Sequence, residues 1–343
     1  MPNLTQNTGI IDMHFDLLMD LYEKRHISDL DGRNILETEY WPDMQAGGMG
    51  VIGAAIYLDG KYLPEMALRV ALGQVSRLHT EVRGSQHFAI CRSYADILAA
   101  RQAGKIAFLI TMEGVDALGI DPDLLPMFYE LGVRSVGLTH ARRNMAGDGG
   151  VFASSGSSPQ GLTAFGKLVV EQCEKLGIIV DLSHLNPAGY NDVLNMVTKP
   201  VIFSHTNPRL FYDVERNSTD EQLRRVAQTG GVIGVNAVLV SQKAEETTLD
   251  RYIDNIEYVA DLCGLDSVAI GFDFFDFIYR QMPVSEKEAM ARYLPAPHFI
   301  PDLLNHGHAG NVVRRLQERG FSQTDIEKIA FGNWMRVFQQ VLK

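Results

Sequence analysis

A short apolar run near the N-terminus, Ile10-Ile11-Asp12-Met13, ends in His14-Phe15-Asp16. Residues i and i+2 of an extended strand project from one face, so the His14 imidazole and the Asp16 carboxylate can reach one point in space. A single His and a single carboxylate make half a metal site and no more. The pair gains meaning from Glu113, His140, His184, His205 and Asp273, each of which follows an apolar run of its own. This many imidazoles and carboxylates exceed what one four-coordinate zinc needs, and the two oxygens of Glu113 suit it to bridge two ions. Paired divalent ions about 3.5–4 Å apart turn water into a hydroxide nucleophile at neutral pH and polarise a substrate oxygen. That is hydrolase chemistry.

Elements able to bring these residues together recur along the whole chain. Eight apolar runs read as strands: Ile10–Met13, Met49–Leu58, Ile106–Met112, Val133–Thr139, Ile178–Leu182, Val201–Ser204, Val232–Val238 and Val268–Phe272. Several are almost continuously apolar, as parallel strands covered on both faces must be. Amphipathic stretches of helical period lie between them, some with clear ends. Ser218 with Glu221 reads as a capping box, Ser93 with Asp96 and Ser322 with Asp325 as related starts, and Gly177 as the stop of a helix from about Phe165 to Leu176. Eight strands alternating with helices predict an α/β fold, a (β/α)8 TIM barrel, with residues 1–343 as one catalytic domain. No Gly-x-Gly-x-x-Gly follows Met13, which removes the dinucleotide-binding alternative. Reactive side chains of such a barrel sit past the C-terminal ends of its strands, where all seven residues fall, spread over six strand ends. Two segments exceed the minimal barrel, Tyr57 to Pro64 and Asp273 to about His308. The second contains Pro283, Pro295, Pro297 and Pro301 and reads as a long, partly irregular covering of the mouth.

Composition narrows the partners. Net charge is −11 without a dense Lys/Arg cluster, which argues against nucleic acid and for a small-molecule substrate. Cys91, Cys173 and Cys263 are widely spaced and odd in number, so they read as buried thiols rather than a disulfide framework. Residues Met1 to Gly9 lack the basic and apolar regions of a secretory leader, and no apolar run reaches membrane-spanning length. The expectation is a cytoplasmic protein without a membrane partner.

Taken in order, the motifs resemble the membrane (renal) dipeptidase family of zinc peptidases, within the amidohydrolase-like metal-dependent hydrolases. The resemblance runs through Ile11-Asp12-x-His14-x-Asp16, Met112-Glu113-Gly114, Leu138-Thr139-His140 with Asn144, and Gly161-Leu162-Thr163-x-Phe165-Gly166. It continues in Val180-Asp181-Leu182-Ser183-His184, Ile202-Phe203-Ser204-His205, Arg216-Asn217, Gly271-x-Asp273-Phe274 and Gly332-Asn333-x-x-Arg336-Val337-Phe338. The resemblance implies a dipeptidase with two Zn2+ ions, or another divalent metal: His14 and Asp16 on one, His184 and His205 on the other, Glu113 bridging. It further implies proton transfer by Asp273 beside a metal-bridging hydroxide, a contact from His140 to the substrate carbonyl, and an Arg216 pair with the substrate's C-terminal carboxylate. A D-residue at that C-terminal position and a homodimer belong to the same set of expectations. Two alternatives stay open, an amidohydrolase of the same fold acting on a lactam or N-acyl amino acid, and a non-catalytic binding barrel.

The chain departs from the family after Asp273, where Phe275 and Asp276 replace the glycine-containing pattern and are expected to narrow or recharge the pocket. Gly147-Asp148-Gly149-Gly150 with Ser154 to Ser158 lacks the Lys-Ser/Thr of a phosphate loop and reads as a flexible rim loop. His298, His306 and His308 read as members of a solvated loop, and Asn333 as the cap of a last helix whose Trp334, Val337 and Phe338 pack inward.

Overall fold

The computed structural model describes residues 9–27, 34–150, 160–291 and 296–343. Among the described residues nine strands form: β1 (Ile10–Phe15), β2 (Met49–Ile56), β3 (Phe88–Ile90), β4 (Ile106–Glu113), β5 (Val133–Gly137), β6 (Ile179–Asp181), β7 (Ile202–Thr206), β8 (Val232–Val235) and β9 (Val268–Ile270). All are parallel, and all but β3 follow the order β1-β2-β4-β5-β6-β7-β8-β9, an almost closed barrel with helices around it. The eight strands read from sequence are those of the ring. The addition, β3, pairs with Ile106–Phe108 on the edge of β4 that β5 occupies further along. Its three residues, Phe-Ala-Ile, are too short to show a period.

Two apolar layers make the core. Ile11, Met13, Val51, Ala107, Leu109, Ile179, Ile202, Val232 and Ala269 meet inside the barrel, and Trp334 and Phe338 of the last helix (Asn333–Val341) join them. Trp334 donates its indole N–H to the Ile270 carbonyl at 2.9 Å, so a buried polar tip is satisfied. Asn333 does not cap that helix. Its amide instead donates to the carbonyls of Leu265 and Val268, because the preceding turn continues in helical conformation and leaves no cap position there.

The parity of β1 decides where the chemistry points. Ile11 and Met13 belong to the interior cluster, whereas Ile10 and Phe15 belong to the layer between strands and helices. Strict alternation would send Phe15 inward with Met13. The register against β2 slips between Asp12 and Phe15, a bulge that turns His14 and Asp16 to the inside. Across from it stands Gly53, where a Cβ would lie 2.2 Å from the Met13 carbonyl oxygen; no other residue fits against the bulge.

Helix ends largely follow their expected chemistry. Ser93 and Ser322 cap their helices, and Gly177 ends the Ala164–Leu176 helix at φ +79°. The capping box before Asp220 is one residue later than expected: Thr219 and Gln222 form it, while Ser218 is held by Asn207 and Thr206. Past β9 come two short helices, Asp276–Gln281 and Val284–Met290, and then a turn at His306–His308. His306 is not solvated. It is 2% exposed, walled by Phe15 and Phe274, with Nε2 at 2.8 Å from Asp12 Oδ2. Cys91 and Cys173 are buried and Cys263 half-buried, all three free. Among the described residues, no helix is long and apolar enough to cross a membrane.

Candidate active site

Six strand ends converge as the barrel requires. His14 lies in β1 and Asp16 just past it, Glu113 ends β4, and His205 lies in β7. His140, His184 and Asp273 each stand three residues beyond their strands, β5, β6 and β9. Glu113 occupies the middle: its Oε1 is 2.9 Å from His184 Nε2, 3.5 Å from His205 Nε2 and 3.6 Å from His14 Nε2. His14 Nε2 is 3.7 Å from Asp16, and the Asp273 oxygens are 3.9 Å from His14 and 3.9 Å from His205. His140 joins through the His184 ring, with centroids 4.4 Å apart.

Backbone conformation helps to aim these groups. His184 (φ +65°) and Asp273 (φ +58°) are two of the three non-glycine residues with positive φ among those described, a conformation costing about 1 kcal/mol or more that neighbouring structure must hold. For His184 the holder is the 147–150 segment, since Gly150 N–H donates to the His184 carbonyl at 2.7 Å. Asp148 in that segment is buried, pairs with Arg143 and accepts the Gln160 N–H. The Gly-Asp-Gly-Gly stretch is thus a strap over His184 rather than a flexible rim; Ser154 to Ser158 lie outside the described residues. Asp273 donates its N–H to the His14 carbonyl at 3.3 Å, and Asn236 Nδ2 donates to its carboxylate at 2.8 Å.

Burial sets the charge states. It pushes the pKa values of His140, His184 and His205 well down, with the Arg216 guanidinium acting in the same direction, so these imidazoles stay neutral, the form that binds metal. Burial opposes charge on His14 too, but Glu113, Asp16 and Asp273 outweigh it and lift the group to about 10. Burial raises Glu113, and raises Asp273 to about 6 against the pull of His14 and Arg216.

His205 shows how finely one donor is prepared. Ser204 Oγ donates to Asp181 and therefore accepts from His205 Nδ1 at 2.7 Å. This network assigns the proton to Nδ1 and leaves the Nε2 lone pair facing Glu113 and His184. Asp181 also accepts the N–H groups of Ser183 and Ser204. Removing the relay by Ser204→Ala should weaken metal binding about 10- to 100-fold in a chelator competition, with circular dichroism unchanged; undiminished affinity would show the relay to be idle. Residue type and spacing assign no role to Asp181, Ser204 or Asn236. The visible signal was slight, an Asp ending an apolar strand three residues before His184.

Arg216 is 7% exposed and donates from Nη2 to the His205 carbonyl at 3.0 Å. Among the described residues no carboxylate lies within ion-pair distance of it, and with His184, Thr206 and Glu215 it lines a small cavity. Burial lowers its pKa, with Asp273, Glu113 and Asp181 opposing. Phe275 packs edge-on against Phe299, and Asp276 pairs with Arg280 on its own helix.

The donors fit a metal centre on their own chemistry. His14 Nε2, Asp16 Oδ1, His140 Nδ1 and His184 Nδ1 are buried without a hydrogen-bond partner, and such groups are costly unless something else satisfies them. Three overlapping trios, His14-Asp16-Glu113, Glu113-His140-His184 and His14-His205-Asp273, each bring their donor atoms within 4.8 Å of one another. Imidazole with carboxylate oxygen suits zinc and its neighbours among divalent ions.

Known proteins are similar to this chain in sequence or in fold. The dipeptidase verJ of Clonostachys rogersoniana is 30% identical over 251 residues, 73% of this chain and 63% of that protein. The dipeptidase ataJ of Aspergillus terreus is 32% identical over 297 residues, 80% of this chain and 67% of that protein. The match to verJ thus spans less than two thirds of that relative's length. A metallopeptidase of Rhodobacter sphaeroides, liganded with a phosphinate mimic of the dipeptide L-Ala-D-Ala, has the same fold, with a TM-score of 0.83 at 23% identity over 98% of this chain and 99% of that one. The family model described as membrane dipeptidase, peptidase family M19, matches residues 1–343. With that match running from end to end, the chain belongs to the membrane dipeptidase family.

Proposed function

We propose that this chain is a dipeptidase that works with two divalent ions, zinc first among them, and that residues 1–343 act as one catalytic unit. The observation that carries the reading is the Glu113 oxygen within 3.6 Å of three histidine Nε2 atoms. His14 and Asp16 would hold one ion, His184 and His205 the other, with Glu113 between them. Such a pair supplies a hydroxide nucleophile at neutral pH and a Lewis acid for the scissile carbonyl. The rest falls to the chain. Asp273, lifted to about 6 by burial, is poised to take a proton near neutrality and return it to the leaving amine, with Asn236 orienting it. His140, kept neutral, faces the carbonyl oxygen and steadies it as charge grows there. Arg216, buried without a carboxylate of its own, takes the substrate's terminal carboxylate.

A dipeptide mimic ending in D-Ala is bound by the Rhodobacter sphaeroides protein, which supports including D-residues at the C-terminal position here. The test is a panel of L,L and L,D dipeptides with zinc-reconstituted protein, scored by released amino acid, beside elemental analysis after mild dialysis. About two metal equivalents and turnover of the panel are expected. Full activity with one firmly bound ion would remove the two-metal part. Turnover of lactams or N-acyl amino acids in place of dipeptides would replace the substrate class.

A further inference from the structure

Between β9 and β1 the barrel has no strand ladder among the described residues. One side chain bridges the gap. Asp12 is fully buried, and its Oδ1 accepts the Phe272 N–H at 2.8 Å and the His14 N–H at 3.2 Å. Its Oδ2 meets His306 Nε2 at 2.8 Å. The two backbone contacts adjoin the chemistry: His14 is a donor of the site, and Phe272 precedes Asp273, whose own N–H returns to the His14 carbonyl at 3.3 Å. Asp12 itself sits before the bulge, on the parity that faces away from the barrel interior, so it is available to the seam and not to substrate.

We propose that Asp12, held by His306, is a positioning residue that stands in for the missing ladder and sets His14 and Asp273 relative to each other. A carboxylate suits the task because one oxygen can take two backbone N–H groups while the other takes an imidazole. A hydrogen-bonded ladder would impose regular strand geometry on both sides. The side-chain clasp instead leaves β1 its bulge and leaves Asp273 its φ of +58°, the two irregularities that aim the reactive groups. His306, enclosed by the rings of Phe15, Phe272 and Phe274, fixes the second oxygen and ties the segment after β9 to the same point. The inference rests on the proposed metal centre only for its affinity readout.

The experiment is amide hydrogen exchange on the full-length chain, with and without added zinc, for Asp12→Ala, Asp12→Asn and His306→Ala. In Asp12→Ala, exchange in 12–16 and 270–274 should rise about tenfold or more, while β5 and β6 on the far side stay as in the unaltered protein. Zinc affinity should fall about tenfold or more in the same variant. Asp12→Asn keeps one acceptor oxygen for the N–H groups and should stay within about threefold in exchange. His306→Ala should loosen the same two segments less than Asp12→Ala does, and it carries the test if the alanine at position 12 prevents folding. Unchanged exchange in 270–274, or a rise spread evenly around the ring, would overturn the proposal. The exchange arm needs no metal, so its failure is separate from a failure of the dipeptidase reading.

Discussion

Asp273→Asn is expected to lower kcat on dipeptides by about 10³-fold while the protein keeps its metal. The substitution removes basicity and little else. An asparagine carbonyl can still accept the Asn236 amide hydrogen that now reaches Asp273 Oδ2 at 2.8 Å, so the φ +58° backbone and the packing around it persist. The carboxylate oxygens lie 3.9 Å from both His14 and His205, beside the donor set rather than at its centre, which Glu113 holds. One group that both accepts a proton from the nucleophile and delivers it to the leaving amine should fall in the upper part of the usual range for acid–base catalysis, about 10²–10⁴. His184→Ala is the contrast, since there metal and turnover should be lost together. Metal content by elemental analysis and kcat by amino acid release separate the two. An asparagine variant within about tenfold of normal turnover, or one that sheds its metal, would remove Asp273 from the proton path.

Arg216→Ala should reduce kcat/KM for dipeptides by about two orders of magnitude or more, and should do much less to dipeptide amides. A guanidinium and a carboxylate joined in a shielded site are hard to separate, and truncating one partner costs about 2–5 kcal/mol. Arg216 is placed for this: buried, anchored by one hydrogen bond to the His205 carbonyl, with no carboxylate at ion-pair distance among the described residues. Arg216→Lys should recover only part of the loss, because an ammonium on a flexible stem cannot present two parallel N–H groups. Amides have no terminal carboxylate to lose, so they report whether the change acts through recognition or through damage to the site. If unaltered protein cleaved dipeptides and their amides equally well, the carboxylate role would fall, and with it the preference for a dipeptidase over a broader amidohydrolase.

The ring strands were readable because a parallel strand covered on both faces must be apolar almost throughout, and Ile106 to Ile110 and Ile178 to Val180 are. His14 and Asp16 do share a face, as their spacing suggests, yet they face the interior only because of a bulge that no period in the sequence announces. His184 and Asp273 were found by residue type at strand ends; their left-handed backbone was not legible, since even His and Asp, which tolerate it better than most side chains, adopt it only occasionally. His306 was misread because its partner is 294 residues away, and local composition near several prolines suggested water rather than three aromatic rings. The capping box slipped by one residue because Ser218 and Thr219 offer competing hydroxyls, and only the contact of Ser218 with Thr206 removes it from the choice.

The seam at Asp12 also bears on the order in which the site can assemble. His184 and His205 are 21 residues apart, so closing the loop between them asks little of a disordered chain. Joining Asp12 to His306 closes 294 residues, and the logarithmic growth of closure entropy makes that about 2 kcal/mol harder. During synthesis both of these histidines have been added about 100 residues before the chain reaches His306. The clasp of Asp12 to His306 must wait, although Asp12 is made early, until the turn at His306–His308 has been added and reaches back to the first strand. The seam is therefore the last part of the ring to be fastened, after the strands that carry Glu113, His184 and His205 have all been made.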